Sequence, residues 1–302
     1  MATHQAHGIG VLGLGIMGRE MVERLRDHPR FRIVSAYDPA RPAGLDLDLA
    51  RSAEAVAADP EVACVYIAAP PAHHPSAVAL AVKHGKAILC EKPLAPTVAE
   101  AEVMRDLVAA AGRPAGVNFS FATGQAATRM RHLVATGALG EIREASLTLR
   151  FSAWPRAWQS GAGAWLSSAD QGGFTREVCS HFLFQAGRLF GAGRCVEKSV
   201  QRGPQGTEVS LQARIDYKNV SLRIDGAVTG DVEDHNRFEL VGTKGKAAIV
   251  DWQGLDYDGG AALPAVASMP DQLATMLDGK PHQLATFAEG AAVTALTETL
   301  LG

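Results

Sequence analysis

The chain has 302 residues, enough for about two domains of roughly 150 residues each. Its composition, 47% hydrophobic and 20% charged, is that of a folded globular protein and excludes a largely disordered one. Basic and acidic residues nearly balance (29 against 32, net charge -3), which leaves no electrostatic footprint for a nucleic acid.

In chain order, Ile9–Leu12 reads as a strand, followed by a helix carrying Met17, Met21, Val22 and Leu25 on one face and stopping near His28-Pro29. Phe31–Tyr37 and Val62–Ala68 read as strands, Pro75–Lys83 as a helix with Gly85 just past its end, and Lys86–Cys90 as a strand. Thr97-Val-Ala-Glu100 is a capping box opening a helix with Val98, Ala101, Met104, Leu107 and Val108 inward, and Ala115–Asn118 closes the series. Strands alternating with helices predict right-handed βαβ units. The expected fold is therefore α/β, with a doubly wound parallel sheet of Rossmann type over residues 1–118.

After about residue 120 the rhythm changes. A helix near Gly124–Thr136 ends at Gly137, and longer period-two strands follow: Ala145, Leu147, Leu149 and Phe151, then Val209, Leu211, Ala213, Ile215 and Tyr217, then Val220, Leu222 and Ile224. Phe238–Val241 and Ala247–Trp252 flank Gly242-Thr-Lys-Gly245, a hairpin signal. These features predict a second, α+β domain over 119–302 with a large, mostly antiparallel open sheet. An amphipathic last helix at about 283–301 is expected to pack back onto the body.

The four cysteines have no metal or disulfide spacing, and three stand in apolar surroundings, so a reducing, cytoplasmic setting is expected. The apolar run Gly8–Gly18 lacks a basic flank and holds five glycines, which argues against a secretion signal. No run of about 18 apolar residues suits a membrane span, and no His, Cys or carboxylate cluster suits a metal.

Val11-Leu-Gly13-Leu-Gly15-Ile-Met-Gly18 is G-x-G-x-x-G between a strand and a helix, with Asp38 ending the next strand 20 residues past Gly18. In that context the glycines allow a tight turn, approach of a pyrophosphate and close helix–strand packing, and the helix N-terminus at Ile16 and Met17 favours phosphate. Asp38 suits the adenosine ribose hydroxyls and repels a 2′-phosphate, which favours NAD over NADP. Arg41 could hold a 2′-phosphate, and Asp38-Pro39 could be a plain turn. Ala69-Pro70, His74 and Glu91-Lys92 fall at the carboxyl ends of the third and fourth strands, beside the expected cofactor crevice.

These marks together resemble the family of glucose–fructose oxidoreductase, inositol dehydrogenase and MocA-like proteins. The shared features are the glycine motif, the A-x-P-x-x-x-H run ending at His74, Glu91-Lys92-Pro93, Gly172-Gly173 with His181, and the closing Thr286-Phe-Ala-Glu-Gly290. The resemblance implies a nicotinamide-dependent oxidoreductase with its active site between the two domains, acting as a homodimer or homotetramer through the open sheet face. Lys92 is implied to touch cofactor and substrate hydroxyl, and its peptide bond to Pro93 is often cis in relatives. Pro70 and His74 are implied to line the nicotinamide, although His74 could equally cap the helix that follows it.

Glu177 and His181 are four residues apart, a spacing that puts them on one helical face. Glu177 could then orient the imidazole, and His181 could take the hydroxyl proton during hydride transfer or return it. The chain departs from the family pattern at Ser120, where relatives carry Arg after the asparagine matching Asn118, at Phe184 in place of Asp, and at Glu177 in place of Asp. Asn118, Trp158 and Trp165 are candidate substrate contacts, though the tryptophans could equally be core or interface residues. Arg156 and Arg176 could hold an anionic group. The expected reaction is hydride transfer between NAD(P) and a secondary alcohol or ketone of a sugar, polyol or related cyclic substrate. Alternatives are a cyclic imine or dihydrodiol substrate, or a non-catalytic NAD(P) sensor.

Overall fold

The computed structural model describes residues 6–42, 44, 46–162, 164–230 and 233–302. The chain divides into two compact units, one of residues 1–118 with 268–291 and one of 119–267 with 292–302.

In the first unit the chain runs β1 (His7–Leu12), α1 (Ile16–Arg26), β2 (Phe31–Tyr37), α2 (Ala53–Ala58), β3 (Cys64–Ile67), α3 (His74–Lys83), β4 (Ala87–Glu91), α4 (Val98–Ala111) and β5 (Ala115–Asn118). All five strands are parallel, in the order β2-β1-β3-β4-β5. Every residue of β3 and β4 is buried, which is why these strands read as continuous apolar runs without alternation. Thr97 caps α4 by accepting the Glu100 amide, and Gly112 ends it in the left-handed conformation.

In the second unit, α5 (Ser120–Thr123) and α6 (Gln125–Ala135) precede β6 (Ile142–Phe151). The π-helical turn Thr175–Cys179 then runs into α7 (Ser180–Phe190), followed by β7 (Arg194–Arg202), β8 (Glu208–Asp216), β9 (Ser221–Val228), β10 (His235–Gly242), β11 (Lys246–Val250) and β12 (Gly254–Asp256). The sheet order is β12-β11-β10-β6-β9-β8-β7, antiparallel except where β6 meets β9. The alternation read from sequence is the burial pattern observed: Ala145, Leu147, Leu149 and Phe151 point into the core, while Glu144 and Ser146 are exposed. The opposite face carries charged pairs, including Arg150–Asp225 at 2.5 Å and Arg214–Glu197 at 2.7 Å.

Three local readings need correction. β11 stops at Val250 rather than running to Trp252, because Asp251 and Trp252 take positive φ angles of 46° and 70° and leave the ladder. The last helix, α9 after α8 (Met269–Leu277), spans Phe287–Leu301 and begins later than expected. It is also less amphipathic than expected, burying Thr294 and Thr297 as well as Ala291, Val293, Leu300 and Leu301. Finally, segment 268–291 counts with the first unit. Met269, Leu273, Met276 and Leu284 join the core cluster of Ile9, Val11 and Phe31, and the Val117 amide donates to the Ala285 carbonyl at 2.7 Å.

Candidate active site

The glycine loop leaves the carboxyl end of β1. Gly13 has φ +98°, and a Cβ there would lie 2.6 Å from the Ala68–Ala69 backbone. A Cβ on Gly18 would lie 2.1 Å from the Gly13 carbonyl oxygen, so helix and loop touch backbone to backbone. Gly15 differs, since a Cβ there would meet nothing within 4 Å and its backbone is ordinary (φ -67°, ψ -163°). Protein packing does not require glycine at 15, and the space beside it lies at the N-terminus of α1. No side chain caps that terminus and its first turn holds no carboxylate, so its amides suit a phosphate. These residues fit a dinucleotide.

Asp38, just past β2, is tied to the loop. The Leu14 amide donates to Oδ2 and the Ala40 amide to Oδ1, each at 2.8 Å. The second contact is the turn that the sequence allowed, and the first fixes the carboxylate beside the glycine motif. Each oxygen keeps a further lone pair for a ribose hydroxyl. Arg41 instead reaches the carbonyls of Ala50 (3.2 Å) and Leu49 (3.4 Å).

At the ends of β3, β4 and β5, Glu91 is buried and accepts from Tyr66 Oη and Asn118 Nδ2, both at 2.6 Å, on Oε1. Burial pushes its pKa up, and the two donors and the Lys92 charge oppose that. Asn118 thus presents its amide to Glu91. Tyr66 was not singled out by sequence, since it lies within an apolar strand and nothing local marks its hydroxyl. Lys92 is half-buried, follows directly, and its bond to Pro93 is cis.

His74 is fully buried at the start of α3. Nε2 lies 2.8 Å from the Ala69 carbonyl, and Nδ1 3.1 Å from those of Pro93 and Leu94. The ring therefore clamps the loop holding Ala69 and Pro70 to the loop holding Lys92. Burial is the largest influence on it and lowers its pKa, against the pull of the three carbonyls.

In the second unit, Gly173 (φ +96°) leaves room for the buried Glu208 carboxylate, which accepts the Thr175 amide at 2.5 Å at the entry to the π turn. That turn carries Glu177 and leads to His181. Glu177 lies within the π turn and His181 in the first turn of α7, and both side chains are buried. His181 is bounded by aromatic edges: Trp252 at 5.1 Å and 87°, Phe119 at 5.6 Å and 85°, and Phe121 at 6.0 Å and 70°. Phe184 stacks on Phe119 at 4.7 Å, and Phe182 packs on both Phe121 and Trp252. The Ser120 amide donates to His181 Nδ1 at 3.3 Å.

The tryptophan beside His181 is therefore Trp252. The Asn236 Oδ1 accepts its amide at 3.1 Å and so holds it in its turn. Its only sequence signal was an aromatic at the end of a period-two run, before Gln253-Gly254. Trp158 and Trp165 make no ring contact with His181 among the described residues. Trp158 is 55% exposed with the Arg156 guanidinium 4.7 Å over its ring, and Trp165 is half-buried. Arg176 forms a two-pronged pair with Glu298 (2.7 and 2.8 Å) and so serves the fold. Among the described residues, no group of three or more His, Cys, Asp or Glu could hold a metal, and no helix is long and apolar enough to cross a membrane.

A parallel sheet of this order with a glycine loop and acidic partner defines a dinucleotide-binding oxidoreductase domain, here joined to an α+β unit. Comparison with known proteins agrees: a family model for an oxidoreductase family with an NAD-binding Rossmann fold matches residues 7–119, and one for the GFO/IDH/MocA C-terminal domain matches 127–248. The chain belongs to the Gfo/Idh/MocA oxidoreductase family, and its first unit is the NAD-binding domain of that family. The trans-1,2-dihydrobenzene-1,2-diol dehydrogenase of Bos taurus is 32% identical over 151 residues, which cover 44% of this chain and 43% of that protein. The enzyme of the same name from Macaca fuscata fuscata is 27% identical over 266 residues, covering 80% and 73%. Among solved structures, the WlbA dehydrogenase of Bordetella pertussis, in complex with NADH and UDP-GlcNAcA, shares the fold at a TM-score of 0.84 and 17% identity, covering 98% and 95%.

Proposed function

We propose that this chain is an NAD-dependent dehydrogenase of a secondary alcohol on a small cyclic substrate with an apolar ring face, of which a trans-dihydrodiol is the type. The observation that carries the substrate class is the aromatic enclosure of His181 by Phe119, Phe121 and Trp252, with Phe184 behind Phe119. A polyhydroxylated sugar needs a hydrogen-bonding partner for each hydroxyl it buries, whereas a flat, weakly polar ring gains from aromatic edges and faces. The relatives from cattle and macaque bear the name of such an activity.

In this reading the amides at the start of α1 hold the pyrophosphate and Asp38 the adenosine ribose, selecting NAD. When bound, the nicotinamide accepts or supplies the hydride. Lys92 and His181 serve the oxygen of the reacting carbon, with Lys92 as the proton carrier. Its charge acts on the neighbouring buried Glu91, which Tyr66 and Asn118 hold in place. The test is absorbance of the reduced nicotinamide with NAD and trans-1,2-dihydrobenzene-1,2-diol, with myo-inositol and glucose as comparisons. Turnover of the dihydrodiol with the higher kcat/KM supports the reading. Preference for inositol or glucose refutes the substrate class, and tight NAD binding without turnover of any of them favours a sensor.

A further inference from the structure

We infer that His181 is fixed as the Nε2–H tautomer by the Ser120 backbone amide, and so meets a substrate oxygen as a hydrogen-bond donor rather than as a base. The amide lies 3.3 Å from Nδ1 of a ring only 4% exposed. Which nitrogen of an imidazole carries the proton is ordinarily ambiguous from heavy atoms, but here the partner's role is set by covalent chemistry. A backbone N–H can only donate, so Nδ1 accepts, and the proton of the neutral ring resides on Nε2. A proton on Nδ1 would set two N–H groups against each other.

The origin of this contact is local. Ser120 is the first residue of α5, with Phe119 as its extended N-cap, and first-turn amides have no partner within their own helix. No side chain caps α5, and the His181 ring supplies the missing acceptor to the Ser120 amide. Phe119 and Phe121, on either side of that amide, contribute two of the ring's aromatic walls, so one short turn sets both the tautomer and the surroundings of His181.

The consequence for catalysis rests on the function proposed above. An Nε2–H donor pairs with the carbonyl form of the substrate and stabilises the oxygen as it gains negative charge. The oxygen, once its carbon has received the hydride, takes its proton from the Lys92 ammonium, and alcohol oxidation returns that proton to the Lys92 amine. His181 keeps its own proton in both directions.

The tautomer is read from long-range proton–nitrogen NMR of the histidine rings in 15N-labelled protein, with His181 identified by the signals missing from H181Q. Wild type and S120A, which keeps the amide, should show a protonated Nε2 and an unprotonated Nδ1, with a nitrogen–nitrogen coupling across the hydrogen bond to the Ser120 amide. S120P deletes the one hydrogen at a first helical position, where proline fits, after a residue whose backbone (φ -80°, ψ 124°) suits a following proline. It should lower the Nε2–H fraction. A wild-type ring protonated on Nδ1 at neutral pH overturns the inference, as does an Nε2–H fraction that S120P leaves unchanged. If S120P does not fold, absence of the coupling in wild type overturns it. For the donor role, glutamine places an amide N–H near the position of Nε2 but cannot accept a proton. H181A should lose roughly 100-fold in kcat/KM for the dihydrodiol, and H181Q distinctly less, whereas equal losses overturn the donor role. A wild-type protein that turns over no candidate counts against the proposed function and leaves the tautomer to be decided by NMR.

Discussion

Alanine placed singly at the three glycines of the nucleotide loop separates what the fold requires from what the ligand requires. At Gly18 the new methyl would sit 2.1 Å from the Gly13 carbonyl oxygen and 2.9 Å from its carbon, both backbone atoms that cannot rotate away. Helix and loop must part by about an ångström, and overpacking of this kind costs about 1–3 kcal/mol, or a fall in Tm of about 2–12 °C. Gly13 adds to a similar overlap the penalty of φ +98°, about 1–2 kcal/mol for a side-chain-bearing residue. At Gly15 the methyl meets nothing within 4 Å and φ is ordinary, so stability should change by no more than about 1 kcal/mol, the scale of an N-cap substitution. With the pyrophosphate placed at α1 as proposed, that methyl stands in its approach, and NAD should bind roughly 10-fold more weakly, about 1.4 kcal/mol. The assays are thermal melting without ligand and tryptophan fluorescence titrated with NAD. Unchanged NAD affinity in G15A would refute the placement of the pyrophosphate, and an unchanged Tm in G18A would refute the close helix–loop contact.

Asp38→Ala removes the charge that disfavours a 2′-phosphate, so the ratio of kcat/KM for NAD over NADP should fall roughly 10-fold, about 1.4 kcal/mol; an unchanged ratio rejects the ribose contact. Lys92→Met should lower kcat at least about 100-fold while NAD binding by fluorescence is retained. His74→Ala deprives the Ala69, Pro93 and Leu94 carbonyls of their buried partner and opens a hole, and should cost about 2–4 kcal/mol in urea unfolding. Asp278 is held at a pKa of about 2 against an ordinary 3.8, first by the Arg30 guanidinium 2.7 Å away. Because the folded value is depressed, its contribution is present above about pH 4 and is lost as pH falls towards 2. The urea midpoint of wild type should drop across that window by more than that of Asp278→Asn.

What the sequence made legible was local. The βαβ rhythm, the Thr97 cap, the period-two strands and the Gly242–Gly245 hairpin depend on neighbours within a few residues, and each appears in the fold. β7 went unread because it is an edge strand with no fully buried residue, so no apolar alternation marks it. Segment 268–291 looked like part of the second domain because the partners that place it, Ile9, Val11 and Phe31, are more than 200 residues away along the chain. Nothing in Thr-Arg-Glu-Val-Cys breaks a helical pattern, so the π turn under His181 was invisible too. Trp252 escaped notice because two consecutive positive φ angles, secured by Asn236, turn it out of a strand that its side-chain pattern would continue.

Two of the three departures that the family resemblance implies gain meaning from their positions. Ser120 in place of Arg removes a long cationic side chain, and the contact this position makes to His181 is through its backbone amide. Phe184 in place of Asp removes a carboxylate and stacks flat on Phe119, with the Arg188 guanidinium 4.6 Å over its ring. Both changes remove a charge, Phe184 leaves a surface with no hydrogen bond to offer a hydroxyl, and both lie among the residues around one imidazole. Loss of two charged contacts from an otherwise unchanged sugar site would leave substrate hydroxyls without partners, at about 1–3 kcal/mol for each one buried. Paired with Phe121 and Trp252, the same changes instead make a consistent aromatic enclosure, whose gain per ring contact is about 0.5–1.5 kcal/mol beyond simple burial. On the substrate class proposed above, the substitutions are understood together, as an exchange of polar recognition for ring recognition, rather than as two separate losses.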